Sequence, residues 1–143
     1  MNHRERKLWQ WLSGQIGNAW DAQRHEDKYA VGIPDVSYGC RGTQGWIELK
    51  SLTAWPRKGF PALSVEQTNW LIRRGGTGGK CWLLVDYNDM LLLFPWNVIP
   101  ILQDNEDDFV GAQKLTSWYG YKKIFDTNEF LYYLTGGKYG RNG

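Results

Sequence analysis

The sequence predicts one α/β domain in which helices flank a central mixed β-sheet. Three observations lead to this prediction: an amphipathic helix opens the chain, short strand-like segments follow it, and a capped helix separates them from two apolar strands. The 143 residues, 42% hydrophobic and 22% charged, have the size and composition of one folded domain. We expect residues 1–143 to form that domain, with a core at about 4–95 and a C-terminal extension at about 96–143.

The first helix is predicted over residues 4–19. Apolar residues recur there at steps of three and four, which places them on one stripe of a helix. These residues are Leu8, Trp9, Leu12, Ile16 and Ala19. Glu5 falls within the same angular range, so we expect its carboxylate on the buried side, where it needs a cation. The alternative is a glutamate favoured at the helix start by the helix dipole, with its side chain in water.

The later elements are predicted from alternation, capping and turn residues. In chain order they are strands at 28–31, 33–38 and 45–51, a helix from Ser64 to Gly76, strands at 80–87 and 90–96, a short helix at 97–102 and a last helix at 128–134 capped by Thr127. Glycines within 39–45 predict a turn between strands. Ser64 and Gln67 form a capping-box pattern, and Asn88-Asp89 predicts a hairpin turn.

Charge and cysteine usage argue against several classes of protein. The formal net charge of +2 does not by itself indicate a polyanionic partner. Cys40 and Cys81 lack a neighbouring cysteine, and His3 and His25 lack zinc-ligand spacing, so we expect buried free thiols and no structural zinc site. The polar start carries no signal peptide, and the longest apolar stretch, 90–94, is far shorter than a membrane span. We therefore expect a cytoplasmic protein without a membrane partner.

Two segments resemble ligand-binding loops but depart from them in the residues that matter. Segment 74–81 lacks the first glycine of a phosphate-binding loop and has Cys81 where such a loop places a magnesium-binding Ser or Thr. It also leads from a helix to a strand, the reverse of a phosphate loop, so we expect no nucleotide cofactor. The acidic run 104–108 lacks the spacing and the glycine of a calcium loop, which favours a solvated loop.

Two carboxylates and a lysine form the strongest chemical pattern. Asp35 is followed, after the glycine-rich turn, by a strand in which Glu48 and Lys50 are two residues apart and therefore share one face. Carboxylates held together away from water are costly unless a cation shares the site, and their hard oxygen atoms suit Mg²⁺ or Mn²⁺. Such a cation supports hydrolysis of a phosphodiester by water. The alternative is a turn aspartate after proline and an ordinary exposed strand pair.

Pro34-Asp35 and Glu48-Leu49-Lys50 resemble the signature of the PD-(D/E)XK nuclease superfamily, and the surrounding residues look most like its VRR-NUC and phage junction-resolvase branches. The resemblance covers roughly residues 4–94. It implies a restriction-endonuclease-like core with the element order αβββαβ. It also implies that Asp35, Glu48 and the backbone carbonyl of Leu49 bind the metal, while Lys50 positions and activates water.

The same resemblance implies roles for two further side chains. The superfamily places a metal-binding glutamate on its first helix, and Glu5 matches that position, with Glu26 as the reserve candidate. Families of this branch carry a glutamine on the helix after the catalytic strand, which Gln67 matches, so a catalytic role is implied for it. The alternative for Gln67 is the capping-box partner of Ser64, and one residue cannot easily serve both purposes.

Basic residues near the predicted site are the candidates for contacts with nucleic acid. Arg57 and Lys58 lie between Trp55 and Phe60 in the loop that leaves the catalytic strand, a mixture that can hold a phosphate and stack on a splayed base. Arg73 and Arg74, on the following helix, are the second pair. The alternative for each group is a solvated surface.

The predicted function is therefore a Mg²⁺-dependent (or Mn²⁺-dependent) endonuclease acting on DNA, with branched junctions as the expected substrate by resemblance. The alternatives are a sequence- or mismatch-specific endonuclease and a catalytically silent nucleic-acid-binding protein. Because a junction is resolved by paired cuts, we expect a homodimer. The aromatic-rich segment 118–139 offers material for its interface, or else completes the core of the monomer.

Overall fold

Six strands form one mixed sheet in the computed structural model, which describes residues 1–26, 31–57, 60, 63–104 and 108–139. The strands lie in chain order: β1 (Asp21–Arg24), β2 (Val36–Cys40), β3 (Thr43–Leu52), β4 (Lys80–Tyr87), β5 (Met90–Pro95) and β6 (Trp118–Tyr121). Neighbouring strands are antiparallel except β3 and β4, which are parallel. The predicted α/β class with a central mixed sheet is confirmed.

Helices cover both faces of this sheet. They are α1 (His3–Ile16), α2 (Val65–Gly76), α3 (Ile99–Asp104), α4 (Phe109–Gln113) and α5 (Thr127–Leu134). One face of β3, with Ile47 and Leu49, packs against α1 and α5. On the other face Leu83 and Val85 of β4 pack against α2 and α3. The connection from β3 through α2 to β4 is the crossover that a parallel pair of strands requires.

Helix α1 forms as its sequence predicts, with a small shift in its bounds. Asn2 and Glu5 make a capping box, in which each side chain accepts a hydrogen bond from the other residue's backbone N–H. The stripe of Leu8, Leu12 and Ile16 is buried. The helix ends at Ile16, and the predicted last turn, 17–19, is a 3₁₀ turn.

Two hairpins set the register of the sheet. Arg41 and Gly42 both have positive φ and form a two-residue turn, so Cys40 pairs with Thr43 and Val36 with Ile47. Asn88 and Asp89 also have positive φ and join β4 to β5, as predicted.

A buried hydrogen-bonded tyrosine connects the sheet to α5. The Tyr38 hydroxyl donates to the Leu134 carbonyl at 2.8 Å and accepts from the Trp82 indole N–H at 2.9 Å. Burial raises the pKa of Tyr38, so the hydroxyl keeps its proton for this bond. Gly45 leaves the room for it, because a Cβ there would lie 2.4 Å from the hydroxyl oxygen.

Several predicted elements differ from the structure. The first strand is β1, upstream of the predicted span 28–31, of which 28–30 lie outside the described residues. The second strand begins at Val36 rather than at residue 33. Asp126, not Thr127, caps the last helix. The acidic run 104–108 ends in Asp108, the N-cap of α4, while 105–107 lie outside the described part of the chain.

The cysteines and the late aromatic segment can be compared with their predictions. Cys40 and Cys81 are buried free thiols, as expected. Within the described ranges, no helix combines the length and the apolar character needed to cross a membrane. The late aromatic segment is divided: Trp118 and Phe130 are core residues, whereas Tyr119 and Tyr121 of β6 are exposed.

Candidate active site

The candidate site lies where β3 continues beyond its antiparallel neighbour. Strand β2 begins at Val36, opposite Ile47, so within the described residues the part of β3 from Glu48 to Leu52 has no partner on this side. On the other side β3 stays paired with β4 as far as Leu52. The sheet is therefore open on this side of β3. The backbone N–H and C=O groups of β3 that face this open edge are not paired with another described strand.

Asp35 closes the start of this open edge. Continuing the register by one residue puts Asp35 opposite Glu48. The Asp35 carboxylate accepts a hydrogen bond from the Leu49 backbone N–H at 2.9 Å. Because the N–H and C=O of one strand residue point to the same side, the Leu49 carbonyl faces the same opening. Three of the four groups predicted to share a metal, two carboxylates and one carbonyl, therefore meet here, and the metal-binding role of Glu5 stays a prediction.

Glu48 is the most deeply buried of these groups, with 1% of its surface exposed. Its Oε2 atom has no hydrogen-bond partner among the described residues. Burial raises the pKa of Glu48 well above its usual range, and the hydrogen bond and negative charge of the adjacent Asp35 raise it further, while Lys50 acts in the opposite direction. Two facing carboxylates with too little positive charge between them favour binding of a proton or a cation.

Glu5 and Lys50 meet beside this pair. The Lys50 ammonium nitrogen lies 3.6 Å from Glu5 Oε1. The other oxygen, Oε2, accepts the capping hydrogen bond from the Asn2 backbone N–H at 3.1 Å. Glu5 is 5% exposed, so its side chain does not extend into water as the alternative interpretation required. Glu26, the reserve candidate, is exposed and pairs with Arg24 instead.

These residues fit a small divalent cation, although no cluster of three or more side-chain ligands is found in the described part of the chain. Mg²⁺ keeps several waters and is commonly held by only one or two carboxylates together with substrate phosphates. Asp35 and Glu48 meet that requirement. The unpartnered Glu48 oxygen is the structural observation that favours a cation, because a buried polar atom without a partner is costly.

Gln67 lies at the start of α2 and forms the capping box with Ser64. Its side-chain oxygen accepts a hydrogen bond from the Ser64 backbone N–H at 2.9 Å, and its backbone N–H donates to the Ser64 hydroxyl at 3.1 Å. This turn packs close to the segment before Asp35, since a Cβ on Gly32 would lie 2.5 Å from the Glu66 carbonyl oxygen. The cap is present in the structure, and the catalytic role of Gln67 stays a prediction.

The residues predicted to contact DNA differ from one another in their surroundings. Arg57 and Arg73 are exposed, and Lys58 lies outside the described residues. Arg74 has its guanidinium 4.7 Å from the ring centroid of Trp70 and 5.8 Å from that of Trp46, within the range of cation–π contacts. Their contacts with nucleic acid stay predictions.

Sequence reasoning missed two side chains beside the candidate site, His25 and Trp46. The His25 backbone N–H donates to the Asp35 carbonyl at 2.7 Å, so His25 follows β1 in line with Asp35 and Glu48. The His25 ring lies 5.2 Å from that of Trp46. Alternation along β3 was the available signal for Trp46, which shares a face with Glu48. His25 had no such signal, because the polar strand β1 was not predicted.

The sheet, its flanking helices and the open edge of β3 define a restriction-endonuclease-like fold. The solved structure of Hjc, a Holliday junction resolvase from the archaeal hyperthermophile Archaeoglobus fulgidus, is similar to this chain, with a TM-score of 0.50 and 16% sequence identity. The match covers 68% of this chain and 78% of that one. No protein-family model matches the sequence, and no curated protein matches it. At this identity the likeness establishes the fold.

Proposed function

We propose that this chain is a divalent-metal-dependent DNA endonuclease of the PD-(D/E)XK superfamily that prefers branched DNA. The observation that carries the proposal is the meeting of the Asp35 and Glu48 carboxyls at the open edge of β3, with Lys50 and Glu5 beside them. The fold likeness to a Holliday junction resolvase supports branched DNA as the substrate class. The motif residues around Asp35 and Glu48 favour the VRR-NUC and phage-resolvase branches within the superfamily.

Each residue of the site has a distinct task in this proposal. Asp35 and Glu48, with the Leu49 carbonyl, hold Mg²⁺ or Mn²⁺, which supplies a nucleophile from water and neutralises phosphate charge. Lys50 donates hydrogen bonds to the attacking water and to the phosphate oxygens. Glu5 restrains the Lys50 ammonium through their ion pair. The Leu49 N–H fixes the orientation of the Asp35 carboxylate.

A homodimer is part of the same proposal, because one chain contains one such site and a junction needs two cuts. The exposed side chains of β6 and the turn after it, Tyr119, Tyr121 and Ile124, are the apolar surface available for a partner. Light scattering at micromolar concentration tests this state. A monomer that cuts plain duplex as well as a junction would refute the dimer and the branched substrate, and would leave the nuclease standing.

Cleavage assays distinguish the nuclease from its two alternatives. The purified chain is incubated with a four-way junction, a matched duplex and a mismatched duplex, each with Mg²⁺, Mn²⁺ or a chelator. We expect metal-dependent cuts, fastest on the junction, that are lost in Asp35→Asn and Lys50→Ala and retained in the exposed control Lys80→Ala. Preference for one duplex sequence or for the mismatch would favour the specific endonuclease. Binding without cuts under every metal condition would favour the silent protein.

A further inference from the structure

A groove of about 330 Å³ runs across the sheet face next to the candidate site. Its wall residues come from the first three strands and include Gln23, Ser37, Gln44 and Trp46. Trp46 pairs with Ser37, and Ser37 pairs with Gln23, which makes one row of side chains across the sheet. The neighbouring row is that of Glu48, about 7 Å along the strand. A ligand in this groove is therefore within one nucleotide's reach of the candidate metal ligands.

Trp46 supplies an aromatic wall that is partly exposed. It lies between His25, at 5.2 Å and 36° between the ring planes, and Trp70, at 5.0 Å and 66°. The Arg74 guanidinium lies over Trp70 at 4.7 Å and adds positive charge beside these rings. Aromatic rings together with a guanidinium are the groups on which unstacked bases bind, in a manner largely independent of sequence.

The polar groups of the groove suit a base rather than a phosphate. The amides of Gln23 and Gln44 donate and accept hydrogen bonds, as the edge of a base does. The Ser37 hydroxyl is hydrogen-bonded to His25 Nε2 at 2.7 Å and has capacity for a further bond. Asp21, at one end of the groove, repels a phosphate but accepts from an exocyclic amine. The negatively charged backbone is better placed along the exposed Arg74.

Gly39 lies at the floor of the groove, and its lack of a side chain leaves the groove open. A Cβ at this position would have no heavy atom of the described residues within 4 Å. Because Gly39 pairs with Asp21 on β1 and with Gln44 on β3, a larger side chain there would occupy the middle of the groove. Its φ lies outside the positive range, so a side chain is compatible with the strand.

We propose that this groove binds an unpaired nucleobase of the DNA strand being cut, next to the scissile phosphate. The inference rests on the proposed function, since it assigns the base to the substrate of the same site. A paired base inside a duplex cannot enter, because its edge and both faces are engaged. The groove thus selects for unstacked nucleotides at the cut, a property that a branch point or a bulge supplies and an intact duplex does not.

Binding without metal tests the groove independently of catalysis. Fluorescence anisotropy, measured in the presence of a chelator, compares a labelled DNA duplex carrying one unpaired deoxyadenosine with the fully paired duplex. Wild type is expected to bind the first about tenfold more tightly, the scale of stacking one base on an aromatic side chain. Gly39→Leu should remove that preference and leave affinity for the paired duplex unchanged. Gly14→Leu is the matched control, because Gly14 is exposed on α1 and a Cβ there would also have no heavy atom of the described residues within 4 Å.

The outcomes separate the groove from the nuclease. Equal affinity of wild type for both duplexes, or an unchanged preference in a folded Gly39→Leu protein, overturns the groove even if metal-dependent cleavage is observed. Loss of the preference only in Gly39→Leu supports the groove even if no cleavage is found, in which case the proposed function alone fails. Deoxyadenosine monophosphate is added as competitor. If it binds as tightly as the duplex with the unpaired base, the groove is a site for free nucleotides and the proposal is overturned.

Discussion

Replacing Glu48 by glutamine should make the metal-free protein more stable and abolish its response to metal. The Glu48 carboxyl is buried with one oxygen unpartnered, and its raised pKa means that it carries a proton in the metal-free protein at neutral pH. Folding therefore requires proton uptake, which costs about 1.4 kcal/mol for each pH unit above the pKa of the unfolded state. A neutral amide of the same shape removes this cost but leaves its own polar atoms unpaired, at about 1–3 kcal/mol, so we expect a net gain of about 1 kcal/mol. For 143 residues, an unfolding entropy of about 2.1 cal/mol/K per residue gives about 0.3 kcal/mol/K, and Tm rises by about 3 °C.

Stabilisation of the folded protein by metal, in contrast, requires the Glu48 carboxylate. A cation at about ten times its Kd stabilises the folded state by about 1.4 kcal/mol. By the same entropy, the Tm of wild type should rise by about 5 °C in Mg²⁺ or Mn²⁺.

Differential scanning fluorimetry with and without metal measures both quantities. Glu48→Gln should melt higher without metal and show no shift with it, whereas the exposed control Glu66→Gln should keep the shift of wild type. A full metal-induced shift in Glu48→Gln would show that the cation binds elsewhere, and a lower Tm without metal would show that the buried carboxylate is not a destabilising group.

Three further substitutions test the surroundings of the site. Gln67→Glu keeps a good capping-box partner, so Tm should hold. The catalytic role predicted for Gln67 further implies that cleavage falls at least about tenfold, because the added charge would repel the substrate phosphate; full activity would leave Gln67 a capping residue only. Gly32→Ala should destabilise by more than about 1 kcal/mol and lower cleavage. The cause is a φ of +86° together with the contact to the Glu66 carbonyl, and an unchanged Tm by calorimetry would contradict this. Tyr38→Phe removes two buried hydrogen bonds and should cost about 1–3 kcal/mol in urea unfolding without affecting metal binding. A smaller loss would mean that neither bond stabilises the fold.

The elements that the sequence predicted are those that bury a regular apolar pattern. α1, α2 and the hairpin of β4 and β5 each carry such a pattern together with a cap or turn that marks an end. β1, with the residues Asp-Ala-Gln-Arg, was missed because it is a short polar edge strand held by pairing with β2 rather than by burial. Such a strand has no periodicity to detect, since only its partner makes it a strand.

The site was predictable to the extent that local geometry determines it. Alternation puts Glu48 and Lys50 on one face, and counting back from a two-residue turn at Arg41 and Gly42 puts Asp35 opposite Glu48. Sequence reasoning identified the glycine-rich turn but not its length, so the pairing of Asp35 with Glu48 could not be derived. The groove beside Trp46 also depends on β1. Because β1 was not predicted from the sequence, the groove could not be predicted either.

Glu5 shows how the two oxygen atoms of one carboxylate contact a helix cap and a neighbouring site. From the sequence, the two interpretations were a metal-binding carboxylate on the buried side of the helix and a helix-start glutamate with its side chain in water. The structure divides the carboxylate: Oε2 accepts the Asn2 N–H and completes the cap, while Oε1 faces the Lys50 ammonium. The cap therefore fixes the rotamer that aims the second oxygen at Lys50. A substitution at Glu5 then perturbs helix and site together, whereas Asn2→Ala removes the cap alone and should loosen the position of Glu5 without removing its charge.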